Sequence, residues 1–140
     1  MAIFLALLGH EVVTGEPEGD KWADWQSLAQ KAGVMEKITF HPFRAEALPF
    51  ESHSFSHIFL LGAFHHISQK TQALAEMLRV LTPDGVCIIF EYTPAGIELI
   101  RKRFPGHPSA EDPRDFVADL PFTHRVVESE TLNAYILTKP

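Results

Sequence analysis

Apolar residues occur along the chain in short runs that are separated by turns rich in glycine and proline. Runs of about five or six apolar residues between such turns are typical of strands buried on both faces. Apolar positions three and four residues apart are typical of helices instead. The two patterns alternate, which predicts an α/β fold with a mostly parallel sheet. Strands are predicted over residues 10–14, 37–41, 56–61, 86–92, 123–128 and 132–138, the last two forming a terminal hairpin.

Helical spacing of apolar residues marks the segments between these strands. The first such helix is expected to begin with Asp20 as its N-cap and to stop before Gly33. Its apolar stripe consists of Trp22, Trp25, Leu28 and Ala29. The stripe is interpreted as core packing, with an aromatic binding surface as the alternative. The predicted helices span 20–32, 69–81 and 95–104, with one or two helical turns over 112–118 and a turn over 83–85.

The first apolar run, Ala2 to Leu8, allows two interpretations. Its alanine and leucine content and the glycine that follows favour a helix with a left-handed cap. A buried strand is the alternative, because a short apolar run cannot be assigned from periodicity alone. The run is too short to span a bilayer and lacks the charged start and cleavage site of a signal peptide, which predicts a cytoplasmic protein.

Composition and charge place the chain among ordinary globular proteins. Its 140 residues are 46% hydrophobic and 21% charged, and one domain over residues 1–140 is the expectation. The net charge of −6 gives no reason to expect binding to nucleic acid or to a membrane surface. The lone cysteine, Cys87, cannot form an internal disulfide and is expected to be a buried, inert thiol.

Three motifs in the middle of the chain carry a family resemblance. Residues 44–50 read RAEALPF, residues 54–66 read SFSHIFLLGAFHH, and residues 81–85 read LTPDG. Together they resemble the S-adenosylmethionine-dependent class I methyltransferases, especially their small-molecule branch, over about two-thirds of the chain. The resemblance implies a Rossmann-like three-layer fold, S-adenosylmethionine as the cofactor and a small molecule as the methyl acceptor.

The resemblance also implies which residues bind the adenosine part of the cofactor. Glu16 follows the family's second strand, where an acid accepts hydrogen bonds from the ribose hydroxyls, and Glu18 is the second candidate for this role. A turn carboxylate is the alternative interpretation of Glu16. Arg44 stands in place of the aspartate that receives the adenine amino group, and arginine has no acceptor atom. Glu46 is the substitute acceptor, with a solvated loop acid as the alternative interpretation. Ala45 is expected to form part of an apolar wall beside the base.

Small residues and histidines follow the strand over residues 56–61. Gly62, Ala63 and Phe64 are expected to line any ligand crevice at the carboxyl edge of the sheet. Glu91 and Tyr92 end the next strand on the same edge, where they could face a substrate. His65 and His66 could each act as a general base near neutral pH, and loop histidines without a catalytic role are the alternative. No H-E-x-x-H motif occurs, and adjacent side chains are expected to point in different directions, so no metal site is predicted.

The family's first strand and the Gly-rich turn after it are not found in this sequence, which is the pattern of an N-terminally truncated member. Such glycines let the backbone approach the ligand and open a helix towards it. Two functions therefore stay open: a small-molecule methyltransferase, or a non-catalytic methyltransferase-like binding or assembly module. The place of the missing strand could be taken by Ala2 to Leu8, by direct pairing of its neighbours, or by a second chain. A homodimer through the N-terminal segment is the expectation.

Overall fold

The chain consists of two compact units. The computed structural model describes residues 1–18 and 24–140; one unit spans Met1–Arg44 and the other Ala45–Pro140. Each unit contains a hydrophobic cluster of its own. This division does not test the expectation of a single domain, which stays a prediction. Within the described ranges, no helix is long and apolar enough to cross a bilayer.

The described part of the N-terminal unit, residues 1–18 and 24–44, contains two helices and a parallel pair of short strands. Its elements are α1 (Ala2–Leu7), β1 (Val12–Thr14), α2 (Trp25–Lys31) and β2 (Ile38–Phe40), with a 3-10 turn over Met35–Lys37. Strands β1 and β2 pair in parallel, as Val13 opposite Thr39 illustrates. The cluster of the unit is built from Ala6, Ala29, Val34 and Ile38.

The run after Met1 is a helix, so the helical interpretation is confirmed and the strand alternative is wrong. Gly9 has a φ of 98° and follows the helix in the left-handed conformation that glycine adopts without steric cost. Its N–H donates to the carbonyl of Ala6, and the N–H of His10 donates to that of Leu5. This pair of bonds is the Schellman pattern that ends a helix.

Helix α2 begins later than the sequence predicts. Asp24 is its N-cap and accepts a hydrogen bond from the N–H of Ser27 at 3.1 Å. The expected cap Asp20 and the stripe residue Trp22 lie outside the described residues. The ring of Trp25 lies 6.0 Å from that of Phe40, and Trp25 packs against the core as predicted. Leu28 is 56% exposed, so its assignment to the buried stripe was wrong.

The larger unit is built on a mixed four-stranded sheet. Its elements are β3 (Phe55–Leu61), α3 (Lys70–Val80), β4 (Leu81–Tyr92), α4 (Pro94–Arg101), β5 (Thr123–Val127) and β6 (Leu132–Thr138). The strand order is β3-β4-β6-β5, with β3 parallel to β4 and the other two pairings antiparallel. The predicted terminal hairpin is therefore confirmed. The strands of the two units belong to separate sheets.

Two boundaries in this unit differ from the prediction. The turn expected over 83–85 lies inside β4, where the ladder passes from Phe55 opposite Leu81 to His57 opposite Val86. The extra residues of β4 form a bulge, which keeps the strand continuous. Helix α4 ends at Arg101 rather than near residue 104, after starting from a Thr93 cap.

One face of the sheet packs against α3. Leu74 of the helix and Ile89 of β4 are both fully buried in the same cluster. Cys87 is buried there too, and burial raises the pKa of its thiol to about 12. The expectation of an inert cysteine agrees with this environment, because the reactive species is the thiolate.

Candidate functional site

The carboxyl ends of β3 and β4 lie side by side, because Leu61 pairs with Phe90. Gly62 follows with a φ of 57° and donates its N–H to the Phe90 carbonyl at 2.8 Å. A Cβ atom at this position would lie 2.7 Å from Cε2 of Tyr92. The positive φ and the close approach of Tyr92 both require glycine at this position. The turn at Gly62 directs the following residues over the end of β4.

A buried histidine–glutamate pair occupies this edge. His65 lies in a 3-10 turn over Phe64–His66, and its Nδ1 is 2.7 Å from Oε1 of Glu91. The backbone N–H groups of His65 and Tyr92 also donate to the same carboxylate, at 3.2 and 2.8 Å. Both side chains of the pair are fully buried. With Nδ1 as the donor to Glu91, the lone pair of the imidazole is on Nε2.

Two further imidazoles lie against His65. Its ring centroid is 4.1 Å from that of His66 and 4.8 Å from that of His107. The expectation that His65 and His66 point in different directions was wrong, because their 3-10 turn is neither a strand nor an α-helix. The pKa of the His66 imidazole is lowered below its ordinary value. The largest cause is that neighbouring protein atoms displace part of the water around the ring, and repulsion from His65 and His107 adds to this effect.

Sequence reasoning did not find His107. The residue follows α4 by six positions and reaches the pair only through the fold, with its carbonyl held by Nε of Arg101 at 3.0 Å. The high histidine count, eight in the chain, was the one available signal. The ligand atoms of the three rings lie within 4.8 Å of one another, although motif spacing predicted no metal site. We call His65, His66 and His107 the histidine cluster.

Glu46 has a structural role in the larger unit. Its residue is 8% exposed, and its Oε1 lies 3.5 Å from the backbone N of Gln69, at the start of α3. Gln72 donates to its backbone carbonyl. The interpretation as a solvated loop acid was therefore wrong, and the carboxylate faces the helix terminus. Ala45 packs against the core cluster, and Gly62 and Ala63 are half-buried. Phe64 is fully buried in that cluster, so its assignment to the lining of the crevice was wrong.

Glu16 and Arg44 belong to the N-terminal unit, where both residues are exposed. The Glu16 carbonyl accepts a hydrogen bond from the N–H of Phe43 at 3.1 Å. A Cβ atom at the preceding Gly15 would lie 2.2 Å from the carbonyl oxygen of His41, so the two segments approach at backbone distance. A carboxylate just after β1 fits a ribose acceptor. The Arg44 side chain cannot accept a hydrogen bond from the adenine amino group, because a guanidinium has no acceptor atom.

A cavity of about 500 Å³ lies beyond the end of β4 in the larger unit. Tyr92 lines it, and its ring centroid is 6.2 Å from that of His65. Asp112 also lines the cavity; burial opposes its ionisation, but hydrogen bonds from Arg114 outweigh that effect and lower its pKa. Glu111 pairs with Lys70 at 2.9 Å. The cavity has the size of a small-molecule site. The sequence placed Tyr92 at this edge, but it gave no indication of the volume or of the lining contributed by residues 110–116.

The fold and this edge define a class of protein: an α/β protein with a ligand crevice at the carboxyl ends of its parallel strands. Residues 1–89 match the methyltransferase domain family, and the chain belongs to that family. The S-adenosylmethionine-dependent methyltransferase resemblance of the sequence is thereby confirmed.

Curated relatives and solved structures agree with this assignment. A ubiquinone/menaquinone biosynthesis C-methyltransferase UbiE of Shewanella pealeana is 33% identical over 70 residues, covering 50% of this chain and 28% of that protein. The UbiE of Erwinia tasmaniensis is 27% identical over 108 residues, covering 76% and 43%. The chain therefore spans less than half the length of either relative.

Two solved structures illustrate the fold. A protein from Pyrococcus horikoshii superposes with a TM-score of 0.69 and 17% identity, over 98% of this chain and 75% of that one. A SAM-dependent methyltransferase from Aquifex aeolicus gives a TM-score of 0.58 and 18% identity, over 81% and 60%. At these identities the likeness establishes the fold alone, which is the Rossmann-like fold of class I methyltransferases. The predicted fold class is confirmed.

Proposed function

We propose that this methyltransferase-like chain belongs to a small-molecule methyltransferase and supplies its acceptor side. The observation that carries the proposal is the placement of His65, His66 and Glu91 at one strand edge. The ring of Tyr92, which lines the cavity of about 500 Å³, lies 6.2 Å from that of His65. A net charge of −6 and a single buried cysteine support a cytoplasmic protein whose substrate is not a nucleic acid.

In the proposed mechanism the chain positions the acceptor and removes its proton. S-adenosylmethionine, when bound, supplies an electrophilic methyl group on a sulfonium. The cavity holds the acceptor, and the exposed His66 receives the proton that the acceptor loses. His65, fixed by Glu91, packs beside His66 and sets its orientation. The lowered pKa of His66 keeps its ring neutral at neutral pH, as a base must be.

The residues expected to bind S-adenosylmethionine suit that cofactor only in part. Glu16 provides a carboxylate directly after β1, suitable for ribose hydroxyls. Arg44 and the helix-bound Glu46 do not provide an adenine acceptor in the family's manner. These two residues favour the second candidate function, a non-catalytic methyltransferase-like binding or assembly module.

Calorimetric titration with S-adenosylmethionine and S-adenosylhomocysteine tests the proposal first. We expect micromolar binding that is lost in Glu16→Ala and kept in Glu11→Ala, which removes an exposed acid directly before β1. Binding would justify methyl-transfer assays on a panel of phenols and quinols, chosen because the UbiE relatives are named for quinone biosynthesis. In those assays His66→Gln should lower kcat by about 10²–10⁴-fold. No heat with either ligand would leave the binding module as the function.

A further inference from the structure

Three imidazole rings come together at one edge of the larger unit, from two separate parts of the chain. Centroid separations in the histidine cluster are 4.1 Å, 4.8 Å and 5.2 Å for the three pairs. His65 is buried, His107 is half-buried, and His66 is exposed, so the cluster extends from the interior to the surface. Imidazole is a preferred ligand of zinc, copper, nickel and iron.

The buried member of the cluster has an unused lone pair. Nε2 of His65 is buried and has no hydrogen-bond partner among residues 1–18 and 24–140. Buried polar side-chain atoms are almost always paired, so such an atom requires an explanation. Nδ1 of the same ring is hydrogen-bonded to Glu91. This bond holds the ring in place, so the ring cannot turn to find a partner for Nε2 without losing it. An electron-pair acceptor at Nε2 would resolve the mismatch.

Two rings of the cluster already have the environment of metal ligands. A histidine that binds a metal usually donates its other ring N–H to a carboxylate or a backbone carbonyl. Nδ1 of His65 has Glu91 at 2.7 Å, and Nδ1 of His107 has the Pro108 carbonyl at 3.2 Å. Both contacts select the tautomer with its lone pair on Nε2. Arg101 fixes the loop that carries His107.

We propose that the histidine cluster binds one divalent transition-metal ion of the zinc type, with His65, His66 and His107 as its protein ligands. Three imidazoles with one open position are a known zinc arrangement. Zinc–nitrogen bonds of about 2.0–2.1 Å place tetrahedral ligand nitrogens about 3.3 Å apart. In the structure the ligand atoms lie within 4.8 Å of one another. A small movement of the two outer rings brings their nitrogens to the tetrahedral distance, since His66 is exposed and His107 lies in a loop.

This inference goes beyond the proposed function and stands on the cluster alone. Zinc binding needs no S-adenosylmethionine, so it is measurable whether or not methyl transfer occurs. The ion and the acceptor's proton would compete for His66, and zinc is expected to inhibit any methyl transfer that uses this base.

The test is a titration of tag-free, chelator-treated full-length protein with ZnCl₂, followed by calorimetry or by competition with a chromophoric chelator. We expect one ion per chain, with affinity reduced about tenfold or more in His66→Ala and in His107→Ala. His124→Ala is the matched control, because His124 is an exposed histidine on β5 of the same unit. Its affinity should equal that of the unchanged protein.

A second readout keeps the result independent of folding. Co²⁺ should give the intense visible absorption of a four-coordinate site, and this spectrum should disappear in His107→Ala while circular dichroism stays unchanged. Absence of binding would overturn the proposal. Equal affinity in all three variants would also overturn it, because the ion would then be held by surface histidines elsewhere.

Discussion

At the scale of single residues, Gly62 determines how the chain leaves β3. Its φ of 57° is unfavourable for a residue with a side chain. An added Cβ atom would also lie only 2.7 Å from the Tyr92 ring, which is too close for a van der Waals contact. We expect Gly62→Ala to lower the free energy of unfolding by about 1–3 kcal/mol, through backbone strain and displacement of the tyrosine ring. Chemical denaturation followed by circular dichroism measures the change.

Gly106 is the control for this substitution. It lies in the loop before His107, does not have a positive φ, and has no atom within 4 Å of an added Cβ. Gly106→Ala should be neutral or stabilising by up to about 1 kcal/mol. Equal effects of the two substitutions would show that Gly62 is not a special position.

Single residues also show the limit of sequence reasoning. Strand β4 and Cys87 could be predicted because an apolar run reports burial directly. His107 could not be assigned to the site, since only the loop after α4 brings it to His65. Glu46 was misjudged for a similar reason: a charged loop residue reads as solvated unless the helix terminus it faces is known.

At the scale of elements, the loop over residues 45–50 is held on α3 by an arginine–glutamate pair. Arg79 donates to the carbonyls of Phe50 and Leu48, at 2.7 and 3.0 Å, and its Nε donates to Glu76 at 2.7 Å. Glu76 in turn accepts from the backbone N–H of Leu48. The loop after residue 45 is thereby fixed along one helix face, although its sequence gives no helical or strand pattern.

This pair predicts a dependence of stability on pH. The hydrogen bond from Arg79 lowers the pKa of Glu76 below 4.5, its ordinary value. A carboxyl whose pKa is depressed by folding stabilises the protein above its unfolded pKa, and that contribution is lost as pH falls through the folded pKa. We therefore expect Arg79→Met to be less stable than the unchanged protein at pH 7, with a difference that shrinks as pH falls below 4.5.

Thermal melts at a series of pH values measure this difference. Arg125→Met is the control, because Arg125 is an exposed arginine on β5. Its melting temperature should differ from that of the unchanged protein by a similar amount at every pH. A gap for Arg79→Met that stays constant down to strongly acid pH would contradict the role given to the pair.

At the scale of the whole molecule, the first helix leaves apolar side chains in contact with solvent. Phe4, Leu7 and Leu8 are 60%, 58% and 61% exposed. Contiguous exposed apolar side chains commonly mark an interaction surface. Since α1 is a helix, it does not supply the strand that the family has at this point of the sequence. Direct pairing of the neighbouring strands and a second chain are the two other possibilities that the sequence left open. We propose a homodimer that buries α1.

Light scattering on the full-length protein at micromolar concentration should give twice the mass of one chain. Phe4→Glu with Leu8→Glu should shift the mass to that of a monomer, because two buried carboxylates oppose the contact. Leu99→Glu is the control, since Leu99 is 53% exposed on α4 and lies in the other unit. A monomeric mass for the unchanged chain over a wide concentration range would refute the dimer. A dimer that persists in the double variant would place the contact on another surface.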